Sequence, residues 1–294
     1  MAGKNVETNI MNDINFENKQ PMSSVEIPTL NLSAADAAFR AAAILSELET
    51  HVNPEKREYL PRFFKTGKGE YGEGDQFLGI VVPDVRRVAK AHKDEPLPVV
   101  KCLLKSPWHE CRLCALLMLV ERFKKAAPKE RKEIVYFYMD HTKYINNWDL
   151  VDLSAPYLTG EFIEEAVEHP HLCRRFNDRF FVYYKSPSIW EQRILIVSNL
   201  PLIRRGEFAF MIALLVCLLA EHTLSFEPGA KPYATRLHDL NQKAAGWMLR
   251  EVGKQDEEFL KAVLDGIYRK MPRTMLRYAI ERLSPEDKKK YMER

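Results

Sequence analysis

The sequence has no apolar run of 18 or more residues, no secretory leader and an odd number of cysteines, five in 294 residues. The first absence excludes a membrane-spanning helix. The other two argue for an intracellular chain with reduced thiols, cytoplasmic if the source is bacterial. Metal ligands at useful spacing are also scarce: Cys111 and Cys114 form a CxxC with only His109 nearby, and no second ligand pair accompanies them. The surrounding CRLCALLMLVERF is almost continuously apolar. Both thiols therefore read as small core residues of a buried helix, and no metal site is expected there. Charge of one sign is missing too, since 44 Lys and Arg face 41 Asp and Glu, a balance too even to point to nucleic acid by itself. No stretch alternates convincingly with period two; the nearest, RFFVYYK at 179–185, fits a helix equally well.

What is present is core-forming sequence, 46% hydrophobic, punctuated by helix signals. Residues 1–32 are rich in Asn, Glu, Ser and Met with little periodicity, which predicts a flexible N-terminal extension before a domain at 33–294. Ser33 with Asp36 resembles an N-cap pair, Ser188 with Glu191 a capping box, and Ser284 followed by Pro285 a third helix start. Helix-length apolar segments recur at 34–51, 54–66, 83–93, 96–105, 109–125, 128–140, 147–154, 160–168, 171–184, 188–199, 206–221, 231–252, 255–269 and 272–282. Short helices in antiparallel pairs, repeating every 35 to 40 residues, predict an all-α fold, an α-solenoid whose pairs bury their apolar faces by stacking into a curved superhelix with a concave face. Four glycines in TGKGEYGEGDQ, 66–76, predict a mobile loop.

Charge is clustered although its total is balanced. Residues 86–105 hold Arg86, Arg87, Lys90, Lys93, Lys101 and Lys105 against Asp94 and Glu95, and residues 169–205 carry a similar excess that includes Arg174, Arg175, Lys185 and Arg193. Solvated helix faces and polyanion-binding faces both look like this. Three tryptophans stand in polar company. In NNWDLVD, Trp148 and Asp152 are four apart and share a helical face, while Asp149 is turned away by roughly 100°. Arg193, three after Trp190, sits near a first helical turn, a position the helix dipole disfavours unless the guanidinium meets an anion or a carboxylate. In QKAAGWMLREVGK, Gly246 permits a close helix contact beside Trp247, with Lys243 before it and Arg250 and Lys254 after it. Taken singly, each motif reads first as a core tryptophan flanked by solvated charge.

Together they are more specific. NPEKREYLPRFF, FLGIVVPDVRRVAK, NNWDLVD, SIWEQRILIV and QKAAGWMLREVGK occur in the order and approximate spacing of the AlkD-type DNA alkylation repair glycosylases, which the chain resembles over roughly residues 34–283. The resemblance implies HEAT-like repeats with the concave face on duplex DNA, monomeric action in base excision repair, and hydrolytic release of N3- or N7-alkylated purines with no metal or organic cofactor. It assigns a catalytic aspartate to Asp152, aromatic walls to Trp148 and Trp247, and a DNA contact near the lesion to Arg193. Arg86, Arg87, Lys185, Lys243 and Arg250 are the further DNA-binding candidates.

Those residue types suit that chemistry. An alkylated purine is cationic and leaves readily, so the remaining demand is a carboxylate aimed at the oxocarbenium-like sugar and its attacking water. Indole faces attract the cationic base at roughly 0.5–2 kcal/mol each. Because the walls and the acid would reach the lesion at the backbone, the resemblance implies that the base need not be flipped. Two departures from the family pattern stand out. Phe63 occupies a position that often carries a tyrosine, and the 66–76 loop has the look of an insertion. Two rivals remain open at this level, a non-catalytic repeat protein binding distorted or branched DNA, and a solenoid scaffold for a protein partner.

Overall fold

Proline and small capping side chains set where the helices begin. Pro stands in the first two positions of six described helices, where its missing N–H costs nothing. Ser33, Asn53, Ser188, Asp256 and Ser284 cap theirs by accepting the backbone N–H of Asp36, Lys56, Glu191, Phe259 and Asp287.

The computed structural model describes residues 32–223 and 237–293. In order, the described helices are α1 (Ala34–Glu49), α2 (Pro54–Phe63), α3 (Val82–Ala91), α4 (Leu97–Leu104), α5 (His109–Phe123), α6 (Pro128–Asp140), α7 (Trp148–Asp152), α8 (Thr159–Glu168), α9 (Arg174–Phe180), α10 (Ile189–Val197), α11 (Leu200–Arg204), α12 (Ala209–Thr223), α13 (Asp239–Gln255), α14 (Glu257–Ile267), α15 (Arg273–Ala279) and α16 (Pro285–Met292). No strand occurs among the described residues, only an isolated bridge between Gln76 and Trp108. The fold is all-α. Residues 1–31 of the expected extension, and 231–236 of the expected twelfth helix, lie outside the described residues.

Each helix packs mainly on helices close to it in sequence. The predominantly apolar α5 is buried from His109 to Val120 and again at Phe123, and it receives α3, α4, α6 and α7. Its two cysteines are core residues, burial pushing the Cys111 thiol up to about 11 and raising Cys114 further. Farther along, α7 packs on α10, α10 and α11 on α13, and α13 on α14 and α15. Gly246 lets α13 approach α15: a Cβ there would lie 2.4 Å from the Met275 carbonyl oxygen and 2.5 Å from Tyr278 Cβ. Gly246→Ala is therefore expected to force the two helices apart at a cost of about 2 kcal/mol, read as a lower thermal midpoint; an unchanged midpoint would show that the contact gives way freely.

Several expectations need correction. The expected helix at 171–184 is shorter, α9 spanning Arg174–Phe180, and RFFVYYK runs from its end into a 3-10 turn at Tyr183–Lys185. The five-residue α11 fills what reads in the sequence as a gap between two segments. At Ser188 only half of the capping box forms, because the Glu191 carboxylate accepts from Thr142 and Ser186 (2.7 and 2.6 Å) rather than turning back to the cap. The glycine-rich loop is not slack. Gly72 N–H bonds the Lys65 carbonyl at 3.1 Å, and Gly67 and Gly69 N–H bond the carboxylates of Glu70 and Glu73 at 2.9 and 2.8 Å. At its end Asp75 is buried against α5.

Candidate active site

The single turn of α7 is fixed from below. Asn147, fully buried, accepts the Trp148 N–H through its side-chain oxygen at 2.9 Å and donates to Asp75 at 3.4 Å. From that anchor the turn sends Trp148 and Asp152 along one face and Asp149 inward, as the four-residue and one-residue spacings require.

Asp152 is mostly buried but still reaches solvent, its side chain 18% exposed. Arg193 of α10 grips it with two hydrogen bonds, Nε to one carboxylate oxygen at 2.9 Å and a terminal nitrogen to the other at 2.7 Å. The remaining terminal nitrogen donates to the Leu240 carbonyl at 2.6 Å, so one guanidinium ties α7, α10 and the first turn of α13 together. The carboxylate at a dipole-disfavoured arginine is thus Asp152. Burial raises the Asp152 carboxyl above its ordinary range, the Arg193 charge and hydrogen bonds oppose that rise, and Asp149 adds to it. Arg193 itself is buried.

Under this turn lies a charge network that sequence reasoning misses. His109 is 2% exposed and bonds Asp75 through Nδ1 and Asp149 through Nε2, both at 2.8 Å, while Arg112 pairs with the other oxygen of Asp75. Two carboxylates and two cations balance within it. Burial disfavours a charged imidazole, yet Asp149 and Asp75 outweigh it and push the His109 pKa up to about 9. Burial would likewise raise Asp75, but the hydrogen bonds and charges of His109 and Arg112 hold it below the usual range. Phe77 and Phe64 flank the imidazole at 4.5 and 5.1 Å between centroids, and Phe64 continues the stack onto Trp148 at 5.1 Å. Next to His109, the buried Glu110 accepts the N–H groups of Leu78, Gly79 and Ile80 at 2.8 to 3.1 Å, which seats the segment before α3.

The raised His109 pKa carries a sign for stability. Its contribution is whole below the unfolded value near 6.5 and is lost as pH rises through about 9. Unfolding free energy should fall by up to about 3 kcal/mol between those limits, measured by urea titration at each pH. A flat profile would mean that the imidazole is neutral.

On the far side of Trp148 a cavity of about 400 Å³ opens between Leu60, Phe63, Phe64, Phe77, Ile80 and Leu113. Its walls are apolar, and the His109 and Asp149 atoms that reach it are bonded to each other. Asp152 and Arg193 are not among its lining residues.

The other expected site residues are less closely gathered. Trp247 is half-buried on α13, its indole N–H donated to the buried Glu251 at 3.1 Å. No ring contact joins it to Trp148 among the described residues. Arg86 and Arg87 lie on α3, Arg87 exposed and paired with Asp84. Lys185 is exposed with its ammonium 5.2 Å from the Tyr184 ring centroid. Lys243 pairs with Asp239 at 2.7 Å, and Arg250 with Glu281.

Comparison with known proteins decides the family. The model of the DNA alkylation repair enzyme family matches residues 44–283. The chain belongs to that family. Membership gives this DNA alkylation repair family protein a role in DNA repair, with DNA as its substrate. Comparison with curated proteins returns no match. Among solved structures it superposes on one described as a predicted DNA alkylation repair enzyme from Enterococcus faecalis, with a TM-score of 0.57 at 14% identity, over 80% of this chain and 98% of that one. At that identity the likeness is one of fold. No helix among the described residues is long and apolar enough to cross a membrane.

Proposed function

We propose that this family member is a monofunctional DNA glycosylase of base excision repair. It hydrolyses the N-glycosidic bond of cationic N3- or N7-alkylated purines, on a HEAT-like solenoid whose concave face holds the duplex. The observation that carries this reading is the clamped, part-exposed carboxylate of Asp152. A largely buried carboxyl with nothing beside it would drift toward its neutral form. Arg193 opposes that drift and fixes both oxygens in direction, while each retains a lone pair for the attacking water or the sugar cation. Charge then meets charge as the glycosidic bond lengthens, with no reorganisation at the moment of reaction.

The role of Arg193 shifts accordingly. Buried, with Nε and both terminal nitrogens engaged by Asp152 and Leu240, it positions the acid instead of holding a phosphate. Phosphate contacts fall to Arg86, Arg87, Lys185, Lys243 and Arg250. The exposed ion pairs of Arg87 and Lys243 contribute only about 0–1 kcal/mol, so a phosphate displaces them readily. Trp148 and Trp247 face the cationic base.

The same pair also supports a second reading. A carboxylate neutralised by arginine can serve only as a strut between α7 and α10, which leaves a non-catalytic DNA-binding protein. Incubation with duplex DNA methylated at guanine N7 separates the two. The glycosylase releases free 7-methylguanine and leaves abasic sites, with salt-dependent duplex binding. Tight binding with every glycosidic bond intact would favour the strut.

A further inference from the structure

The glycine-rich loop between α2 and α3 delivers an aromatic residue to the site. Tyr71, at its centre, is half-buried, and its hydroxyl oxygen accepts the indole N–H of Trp148 at 3.3 Å. Its ring meets Trp190 of α10 edge-on, 6.1 Å between centroids and 73° between planes. The loop cannot easily carry Tyr71 elsewhere. A Cβ on the adjacent Gly72 would fall 2.5 Å from the Phe64 carbonyl oxygen, and Asp75 a few residues on is bound by His109 and Arg112. Phe63, by contrast, touches Trp148 only through its ring, at 5.9 Å and 68°, and has no polar atom to offer the indole.

An indole on a one-turn helix has two ways to move, by swinging about its side-chain torsions and by tilting with the turn. Stacking on Phe64 limits the tilt, since stacked rings slide but do not separate without cost. It does not stop the ring from rotating within its own plane. A hydrogen bond at the indole nitrogen does, and at 3.3 Å it contributes direction more than strength.

On the glycosylase reading above, we propose that Tyr71 is a positioning residue: through its hydroxyl it fixes the Trp148 indole in the orientation that meets the damaged base, and the glycine-rich loop exists to place it there. Tyr71 acts through Trp148 and touches neither the sugar nor the leaving base. Its effect is therefore on the rate of the bound complex and not on duplex affinity.

Tyr71→Phe removes the hydroxyl and keeps the ring that packs on Trp190. In single-turnover release of 7-methylguanine it should lower the rate of the bound complex about tenfold, the scale of one lost hydrogen bond, with the duplex Kd and the thermal midpoint unchanged. In a Trp148→Phe background, which has no indole N–H to hold, the same substitution should cost nothing further. The Trp148 indole N–H resonance should also move when the hydroxyl is removed. A wild-type rate in Tyr71→Phe, a full further loss on Trp148→Phe, or an unmoved resonance would overturn the role of Tyr71 while leaving the glycosylase reading intact. Absence of base release by the wild type would overturn that reading, and the role of Tyr71 with it.

Discussion

Asp152→Asn should slow release of 7-methylguanine from methylated duplex DNA by about 100- to 1000-fold, the usual effect of removing one preorganised electrostatic group from a transition state. The substitution keeps the size and planarity of the side chain and leaves one carbonyl oxygen for Arg193. What it removes is the negative charge that opposes the growing positive charge on the sugar. Its effect on binding should run the other way. A carboxylate facing a polyanion raises the cost of association, so the amide should bind undamaged duplex as tightly as the wild type or slightly more so. Loss of rate with retained or improved affinity separates a catalytic acid from a strut, because a broken strut would weaken both. The pH profile adds a sign. Catalysis needs the anion, and burial raises the Asp152 carboxyl above the ordinary 3.8, so the acid limb of the rate should lie above that value.

A comparably large effect, on folding, is expected at His109. His109→Phe preserves the ring contacts with Phe64 and Phe77 but removes the cation that both Asp75 and Asp149 face. Asp75 keeps Arg112, whereas the buried Asp149 loses its counter-charge. Leaving a buried carboxylate uncompensated costs about 3–5 kcal/mol, which for a chain of this size is on the order of 10 °C in the thermal midpoint. The loss should be partly reversed by adding Asp149→Asn, since that removes the stranded charge, and the fall in stability between pH 6.5 and 9 should vanish with the imidazole. A His109→Phe protein as stable as the wild type would mean that the network is neutral and adds little.

Legibility in the sequence followed the range of the interactions. Helix starts at Ser33, Ser188 and Ser284 are readable because the cap oxygen and the N–H that donates to it lie three residues apart. The shared face of Trp148 and Asp152 was readable for the same reason. The five-residue α11 was not, since one turn containing Pro201 is too short to display a helical period. Arg193 shows the boundary between the two cases. Its place near a helix start signalled a need for negative charge, but the partner stands 41 residues away and no local pattern names it. His109 gave no signal at all: its partners are 34 and 40 residues distant, and beside CxxC its obvious association is with metal chemistry. The loop at 66–76 misled outright. Glycine content suggested mobility, whereas Gly72 is there to let the backbone pass close to Phe64 and carry Tyr71 to Trp148.

On the glycosylase reading, Asp152 and Arg193 act as one unit, the arginine serving the acid and not the DNA. A double-mutant cycle in single-turnover 7-methylguanine release addresses it most directly, using Asp152→Asn, Arg193→Met and the pair. The account predicts that each single change lowers the rate, Arg193→Met by less, and that the double variant is no slower than Asp152→Asn. Losses that multiply in the double variant, with Arg193→Met also weakening duplex binding, would contradict it and return Arg193 to the phosphate backbone.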